Sequence, residues 1–191
     1  TRFNNYIKNT YDGLNVSVSE FCVMQGGVDD SMDMGLYSAK VIMRDLNVLN
    51  AVGWNYWLSV SKYDYEDGLL YWNGNNDLKS TKRYYALGHF SKYITYGSVR
   101  IDSKYNDSFG INGVECVAFK RVDGSIVLVV LNDSKRDKDI KVKGAYQNIC
   151  EILTTQSSNW VISQYEYDEY ITIPANSIAT YIMTAPQSEE E

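Results

Sequence analysis

Glu20 closes the run Val16-Ser17-Val18-Ser19-Glu20, and the next charged residue after it is Asp29. A lone carboxylate after alternating small and β-branched residues reads as an acid carried at the tip of a strand. Later in the chain, Trp54-Asn55-Tyr56-Trp57-Leu58-Ser59-Val60 places three aromatics on a second apolar run. A carboxylate beside clustered aromatic rings is a pairing that sugar chemistry uses. The ring stacks on the apolar face of the pyranose, and the acid works at the anomeric carbon. The same residues also fit a surface acid and a Trp/Tyr core cluster, so spacing alone leaves these alternatives open.

Other candidate groups offer less chemistry. Asp29, Asp30 and Asp33 lie close together, but without the glycine and bidentate Glu of an EF-hand. They read as favouring a helix start through its dipole. Asp64, Glu66 and Asp67 follow the second run and read as solvated loop acids, within reach of a distal sugar. His89 is the only histidine, inside a helical stretch with no Ser or Cys partner at readable spacing, and reads as structural. Cys22, Cys116 and Cys150 are widely spaced with no CxxC, so no zinc site or other metal site is expected. They read as buried free thiols, although a secreted chain would allow a Cys116–Cys150 disulfide. Asn15-Val16-Ser17, Asn106-Asp107-Ser108 and Asn132-Asp133-Ser134 fit the glycosylation pattern. The first falls within an expected buried strand, which argues against its use.

The elements that must hold Glu20 and the aromatics are legible. Residues 14–20 form a short strand and 24–33 a loop. Ser31 caps a helix with Asp33 in its first turn, and Leu36, Ala39, Ile42 or Met43, Leu46 and Leu49 form one apolar stripe. Gly53 ends that helix, and 54–60 is a second buried strand. Residues 62–80 read as a long polar-aromatic loop. A second helix spans 81–94, with Tyr84, Leu87, Phe90 or Ser91, and Ile94 on one side. Strand and helix alternating at this spacing is the βα unit of a parallel sheet or barrel. In a βα barrel the C-terminal strand ends carry the active site, and Glu20 sits at such an end. Counting back by two gives Val18, Val16 and Leu14, which suit a barrel interior. The other parity, Asn15, Ser17 and Ser19, is oddly polar for a helix-facing side. A bulge near Ser19 would exchange the two, so parity does not settle where Glu20 points.

From residue 96 the pattern changes. Residues 114–133 are two strands around an Asp123-Gly124 turn. Strands follow in DIKVKG, NICEILTT, NWVISQYE, YITIP and SIATYIMT. Six or seven short strands punctuated by turns predict an antiparallel sandwich. The chain is thus read as a portion with βα units, 1–95, then a β-sandwich, 96–185, and a frayed tail, 186–191. Two βα units cannot close a barrel, which takes about eight strands. The first portion is either a domain of its own kind or a piece of something longer.

Composition narrows the class. The net charge is −6, and no Lys/Arg run exceeds two, which excludes the basic footprint of a nucleic-acid binder. The longest apolar stretches, such as Ser125–Leu131, are too short for a membrane span. The 17 Tyr and 4 Trp suit flat ligand faces such as sugar rings, and equally suit β-sheets.

Taken in order, SEFCVM, AVGWNYWLSV and YYALGHFSKYITYGSVRI resemble the last third of glycoside hydrolase family 30, which includes glucosylceramidases, endo-β-1,6-galactanases and glucuronoxylanases. The resemblance runs from about residue 14 to 184 and ends in a segment like IPANSIATYIM. It implies the last two βα units of a (β/α)8 barrel followed by an antiparallel β-sandwich. It also implies a retaining glycosidase for β-linked glycans that needs no cofactor. By this resemblance Glu20 is the nucleophile at the end of strand seven and Trp57 stacks under the sugar, with Tyr56 and Trp54 as lesser pocket-lining residues. The general acid/base belongs on a strand with no counterpart here, so the chain alone is expected to be inactive. Its expected partners are the carbohydrate substrate and the rest of the barrel, as the same or a separate chain, or a second copy through the open edge. The resemblance also implies a secreted or extracytoplasmic protein. The rival expectation is a non-catalytic carbohydrate-binding or structural domain in which Glu20 is inert.

Overall fold

The computed structural model describes residues 2–11, 13–103, 113–144, 146–167 and 170–184. The Asn106–Ser108 tripeptide and the tail, 186–191, lie outside them. The chain forms two compact units, 1–84 and 85–191. The division falls inside the last helix.

The first unit opens with helix α1 (Arg2–Thr10), then strand β1 (Ser17–Phe21), helix α2 (Met32–Arg44) and strand β2 (Gly53–Tyr56). β1 and β2 pair in parallel with α2 as the crossover. Ser31 caps α2, its Oγ accepting from the Met34 amide at 3.4 Å, while Asp29 Oδ1 takes the Ser31 amide at 2.7 Å. Asp33 in the first turn and Arg44 in the last both oppose the helix dipole. The expected stripe is buried at Leu36, Ala39, Ile42 and Met43. Gly35 lets Lys82 approach, since a Cβ there would stand 3.0 Å from the Lys82 Cβ. The helix passes into a π-helical turn, Asp45–Leu49, and stops at Asn50 in the left-handed conformation (φ 56°), three residues before Gly53. The expected loop at 62–80 is largely structured. β3 (Val60–Ser61), β4 (Leu70–Trp72) and β5 (Leu78–Ser80) form a three-stranded sheet. The β4–β5 hairpin turns through Asn73-Gly74, with Gly74 at φ 92°.

Helix α3 (Lys82–Ser91) runs across the division. The second unit continues with β6 (Val99–Ile101), β7 (Val114–Lys120), β8 (Ile126–Asn132), β9 (Lys138–Ile140), β10 (Asn148–Thr154), β11 (Val161–Glu166), β12 (Ile171–Ile173) and β13 (Ser177–Thr184). Six strands pair in the order β11-β10-β13-β8-β7-β6, and β12 pairs with β9 in a second, small sheet. Val114, Ala118, Leu128, Val130, Ala179 and Tyr181 of the large sheet pack on Ile140, Ile171 and Ile173 of the small one. This is the expected antiparallel sandwich. β8 is buried nearly throughout, which explains its unbroken apolar run in place of alternation. The Asp123-Gly124 turn forms as read, with Asp123 Oδ1 accepting from the Ser125 amide at 2.9 Å.

The cysteines are free thiols. Cys116 on β7 and Cys150 on β10 are separated by β8 and β13, or about 14 Å at ordinary strand spacing. A disulfide needs Cα atoms within about 7 Å, so this pair is excluded. Asn132 is buried, and its Nδ2 donates to the carbonyls of Arg136, Ile173 and Pro174. Its amide is therefore committed to the fold.

His89 is a structural residue, as expected. It is fully buried, with Nδ1 2.8 Å from Thr180 Oγ1 and Nε2 2.9 Å from Thr154 Oγ1. Thr180 donates its own proton to the His89 carbonyl, so its oxygen receives Nδ1–H, and Nε2 accepts from Thr154. Burial holds the ring neutral, its pKa pushed down to about 3. The unfolded chain takes up a proton below pH ~6.5 that the native state refuses. Stability from this group is therefore full above that pH and falls as pH drops toward 3, by about 1.4 kcal/mol per pH unit. Between pH 6.5 and pH 5 the loss should be about 2 kcal/mol. Urea midpoints of the wild type should show this slope and those of His89→Gln should lack it; equal slopes would refute the assignment.

Candidate active site

The parallel pair is out of step at one place. Val18 lies opposite Trp54 and Phe21 opposite Tyr56, so Ser19 and Glu20 together face Asn55 alone. This is a β-bulge, and it re-aims side chains. On one face Phe21 lies 5.4 Å from the Trp54 ring and 6.1 Å from Tyr56, with Tyr37 of α2 at 6.4 Å. Trp54 Nε1 donates to Asp45 Oδ2 at 2.9 Å, at the end of the same helical run. Val18 shares this helix-side face. On the other face Ser17, Ser19, Glu20 and Asn55 are exposed. Gly53 belongs there too, where a Cβ would meet Ser17 Oγ at 3.0 Å. The parity that grouped Val18 with Glu20 is therefore reversed. The polar Ser17 and Ser19 share the open face with the acid, and the valines turn toward the helix.

Trp57 has the parity of Asn55, one residue past the end of β2. Its amide donates to the Phe21 carbonyl at 2.8 Å, and its side chain is 50% exposed. The peptide between Trp57 and Leu58 is cis. The three aromatics are thus divided: Trp57 stands on the open side with Glu20, and Trp54 and Tyr56 pack half-buried behind it.

The two loops that follow the strands are joined at this end. Gly27 donates to the Asp64 carbonyl, and Glu66 to that of Gln25, each at 3.0 Å. Leu58, next to Trp57, donates to the Asp67 carbonyl at 2.7 Å. Glu66 and Asp67 are only 8% and 7% exposed, so the reading of both as solvated acids is corrected; Asp64 is exposed as expected. Behind them Arg83 is fully buried. Its guanidinium donates to the carbonyl of Asp29 at 2.9 Å, and to the carbonyl of Gly68 and the Tyr71 hydroxyl at 3.3 Å. A buried, always-charged group with a rigid fork of donors ties the two loops together. Burial pushes the Cys22 thiol above its ordinary pKa, with the Glu20 and Asp67 carboxylates adding to the effect. Burial likewise pushes the Tyr56 phenol up to about 12, so it stays protonated and donates toward the Glu66 carbonyl at 3.5 Å. Asp29 and Asp30 are otherwise engaged. Asp29 takes the Ser31 amide, and Asp30 pairs with Lys79 at 2.6 Å, a contact that lowers its pKa. Among the described residues no three of His, Cys, Asp and Glu are grouped to hold a metal.

The class, glycoside hydrolase, is given by the family comparison. The model of the glycosyl hydrolase family 30 β-sandwich domain matches residues 97–181, and that of O-glycosyl hydrolase family 30 matches residues 5–71. The chain belongs to glycosyl hydrolase family 30. Lysosomal acid glucosylceramidase of Mus musculus is 44% identical over 59 residues, covering 31% of this chain and 11% of that protein. Glucuronoxylanase XynC of Bacillus subtilis (strain 168) is 27% identical over 112 residues, covering 54% and 25%. The catalytic domain of GH30 xylanase C from Talaromyces cellulolyticus superposes with a TM-score of 0.78 at 21% identity, over 92% of this chain and 42% of that one. At that identity the likeness speaks to fold alone. The matched portion spans a quarter or less of these curated relatives.

Proposed function

We propose that this chain is part of a retaining glycoside hydrolase acting on a β-linked glycan or glycoside, with Glu20 as its nucleophile. The observation that carries the reading is the bulge at Ser19–Glu20, which sets the carboxylate on the open face at the strand end, on the same side as Trp57. A Glu20 oxygen attacks the anomeric carbon, and the bond to the leaving oxygen breaks. That oxygen takes a proton from a second carboxylic acid roughly 5–5.5 Å away, and water then hydrolyses the glycosyl ester with the second group as base. Trp57 is the stacking platform, with Trp54 and Tyr56 as lesser pocket-lining residues. Ser17, Ser19 and Asn55 supply polar groups on the face where the barrel interior would lie.

The second carboxyl group belongs to the remainder of the barrel, supplied by the same polypeptide or by another chain, and residues 1–191 alone do not turn over substrate. A second copy docking through the open edge is the other route to closing the sheet. We place the protein outside the cytoplasm, with the glycans it would meet there. No helix among the described residues is long and apolar enough to cross a membrane.

The test is covalent labelling by 2-deoxy-2-fluoro-β-glucosyl and -xylosyl fluorides with the remainder of the barrel supplied. A glycosyl mass on the peptide containing Glu20 is expected. Binding without labelling would instead mark a carbohydrate-binding domain in which Glu20 is inert.

A further inference from the structure

One extra residue in β1 puts Glu20 on the open face. Ser17 lies opposite Gly53 and Val18 opposite Trp54. Continued in that register, Glu20 would fall opposite Tyr56 and Phe21 opposite Trp57. The acid would then turn into the aromatic cluster on the helix side, and the Phe21 ring would stand on the open face. Instead Phe21 pairs with Tyr56, and Ser19 and Glu20 share the single place opposite Asn55. Packing of the Phe21 ring favours this parity, because the exchange would expose the ring and desolvate a carboxylate. Packing does not fix where the extra residue is taken up. A bulge one position earlier would leave Phe21 in place and still move the carboxylate.

Two hydrogen bonds bracket the bulge. After it, the Trp57 amide donates to the Phe21 carbonyl at 2.8 Å. Before it, the donor is a side chain: Asn55 Nδ2 donates to the Val18 carbonyl at 3.2 Å. Asn55 is the one residue opposite the bulged pair, and it is exposed on the same face as Ser19 and Glu20. Its amide thus ties β2 to β1 at the last regular pair, directly before the extra residue. Alanine there has no donor, and aspartate would set a carboxylate oxygen against the carbonyl that the amide binds. We propose that Asn55 is a positioning residue for Glu20. By clamping the Val18 carbonyl it fixes the bulge at Ser19–Glu20, and so sets the reach of the carboxylate to the anomeric carbon. It acts through the strand and not on the sugar. A misplacement of about 1 Å at reacting atoms costs about 10²-fold in rate, which is the effect at stake. The inference deepens the proposed function and rests on Glu20 being the nucleophile.

The complete enzyme carries the test. Inactivation by 2-deoxy-2-fluoro-β-glucosyl or -xylosyl fluoride separates binding (KI) from attack (ki). Asn55→Ala and Asn55→Asp should each lower ki by about 10²-fold with KI within about twofold of the wild type. Because Asn55 is exposed, both variants should keep the wild-type melting temperature to within a few degrees. A second arm takes the nucleophile off the strand. In the Glu20→Gly enzyme, free azide attacks a dinitrophenyl β-glycoside in place of the carboxylate. Adding Asn55→Ala there should leave the azide-rescued rate unchanged to within about twofold. Wild-type ki in either Asn55 variant, a rise in KI alone, or loss of folding in both overturns the inference. So does an equal loss in the azide-rescued background, which would make Asn55 a substrate contact. Each of those results leaves Glu20 as the nucleophile. A wild-type enzyme that takes no label on Glu20 sinks the catalytic reading, and the positioning role with it.

Discussion

Replacing Glu20 by glycine in the complete enzyme is expected to lower kcat by about 10⁴-fold or more, the scale seen when a covalent nucleophile is removed. The substitution should leave folding intact, because Glu20 is exposed and sits on the unpaired side of a bulge. A thermal melt within a degree or two of the wild type is the control. A simple loss of activity would also follow if Glu20 merely bound substrate, so a second readout is needed. With the side chain gone, azide can enter its space and attack the anomeric carbon of a dinitrophenyl β-glycoside, a leaving group that needs no proton. The product expected is the α-glycosyl azide, because one displacement inverts the centre that two displacements would retain. Rescue with that stereochemistry assigns the attacking role to position 20. A glycine variant retaining a tenth of wild-type activity would remove Glu20 from the mechanism altogether.

Much of this arrangement was legible before the fold was known. Val16–Glu20 and the capped helix at Ser31 each carry a local signature, whereas the expected buried strand at 54–60 stops at Tyr56, with Trp57, Ser59 and Val60 exposed and Val60–Ser61 paired in a different sheet. The sandwich strands carry a local signature as well, because turn residues such as Asp123-Gly124 act over a few positions. What was hidden depends on contacts distant in sequence. The bulge that decides where Glu20 points has no compositional mark, and it converts an apolar-inside reading of Val18 into an apolar-outside one. Glu66 and Asp67 look solvated because acids usually are; their burial follows from backbone bonds to Gln25 and Leu58. Arg83 escaped notice for the same reason. By contrast, the β4–β5 hairpin carries a local mark, since Asn73-Gly74 between Leu70–Trp72 and Leu78–Ser80 is a turn signal set in a polar stretch.

The helix residues after Tyr84 meet the second unit at Gly88 as well as at His89, and a single methyl group should reveal the first of these contacts. Gly88 lies flat against Trp160: a Cβ at that position would come 2.0 Å from Cζ2 of the indole. The same indole donates Nε1–H to the Tyr85 carbonyl at 3.0 Å, stands edge-on to the Tyr85 ring at 5.0 Å, and lies under Lys92 Nζ at 5.1 Å. Trp160 in turn is held at φ 47° with its amide on Thr154 Oγ1, the hydroxyl that also meets His89. Gly88→Ala cannot be absorbed by a small rotation, because the backbone of Trp160 is fixed at that hydroxyl. Overpacking costs about 1–3 kcal/mol, and the displaced hydrogen bond and ring contact add about 1 kcal/mol each. Better helix propensity returns about 1 kcal/mol. A net loss of about 3 kcal/mol in urea unfolding is therefore expected. Trp160→Ala alone should also destabilise, but in that background the new methyl enters open space and Gly88→Ala should become neutral or slightly stabilising. If the two losses simply add, the glycine is there for some reason other than the indole, and the docking of this helix through Trp160 is refuted.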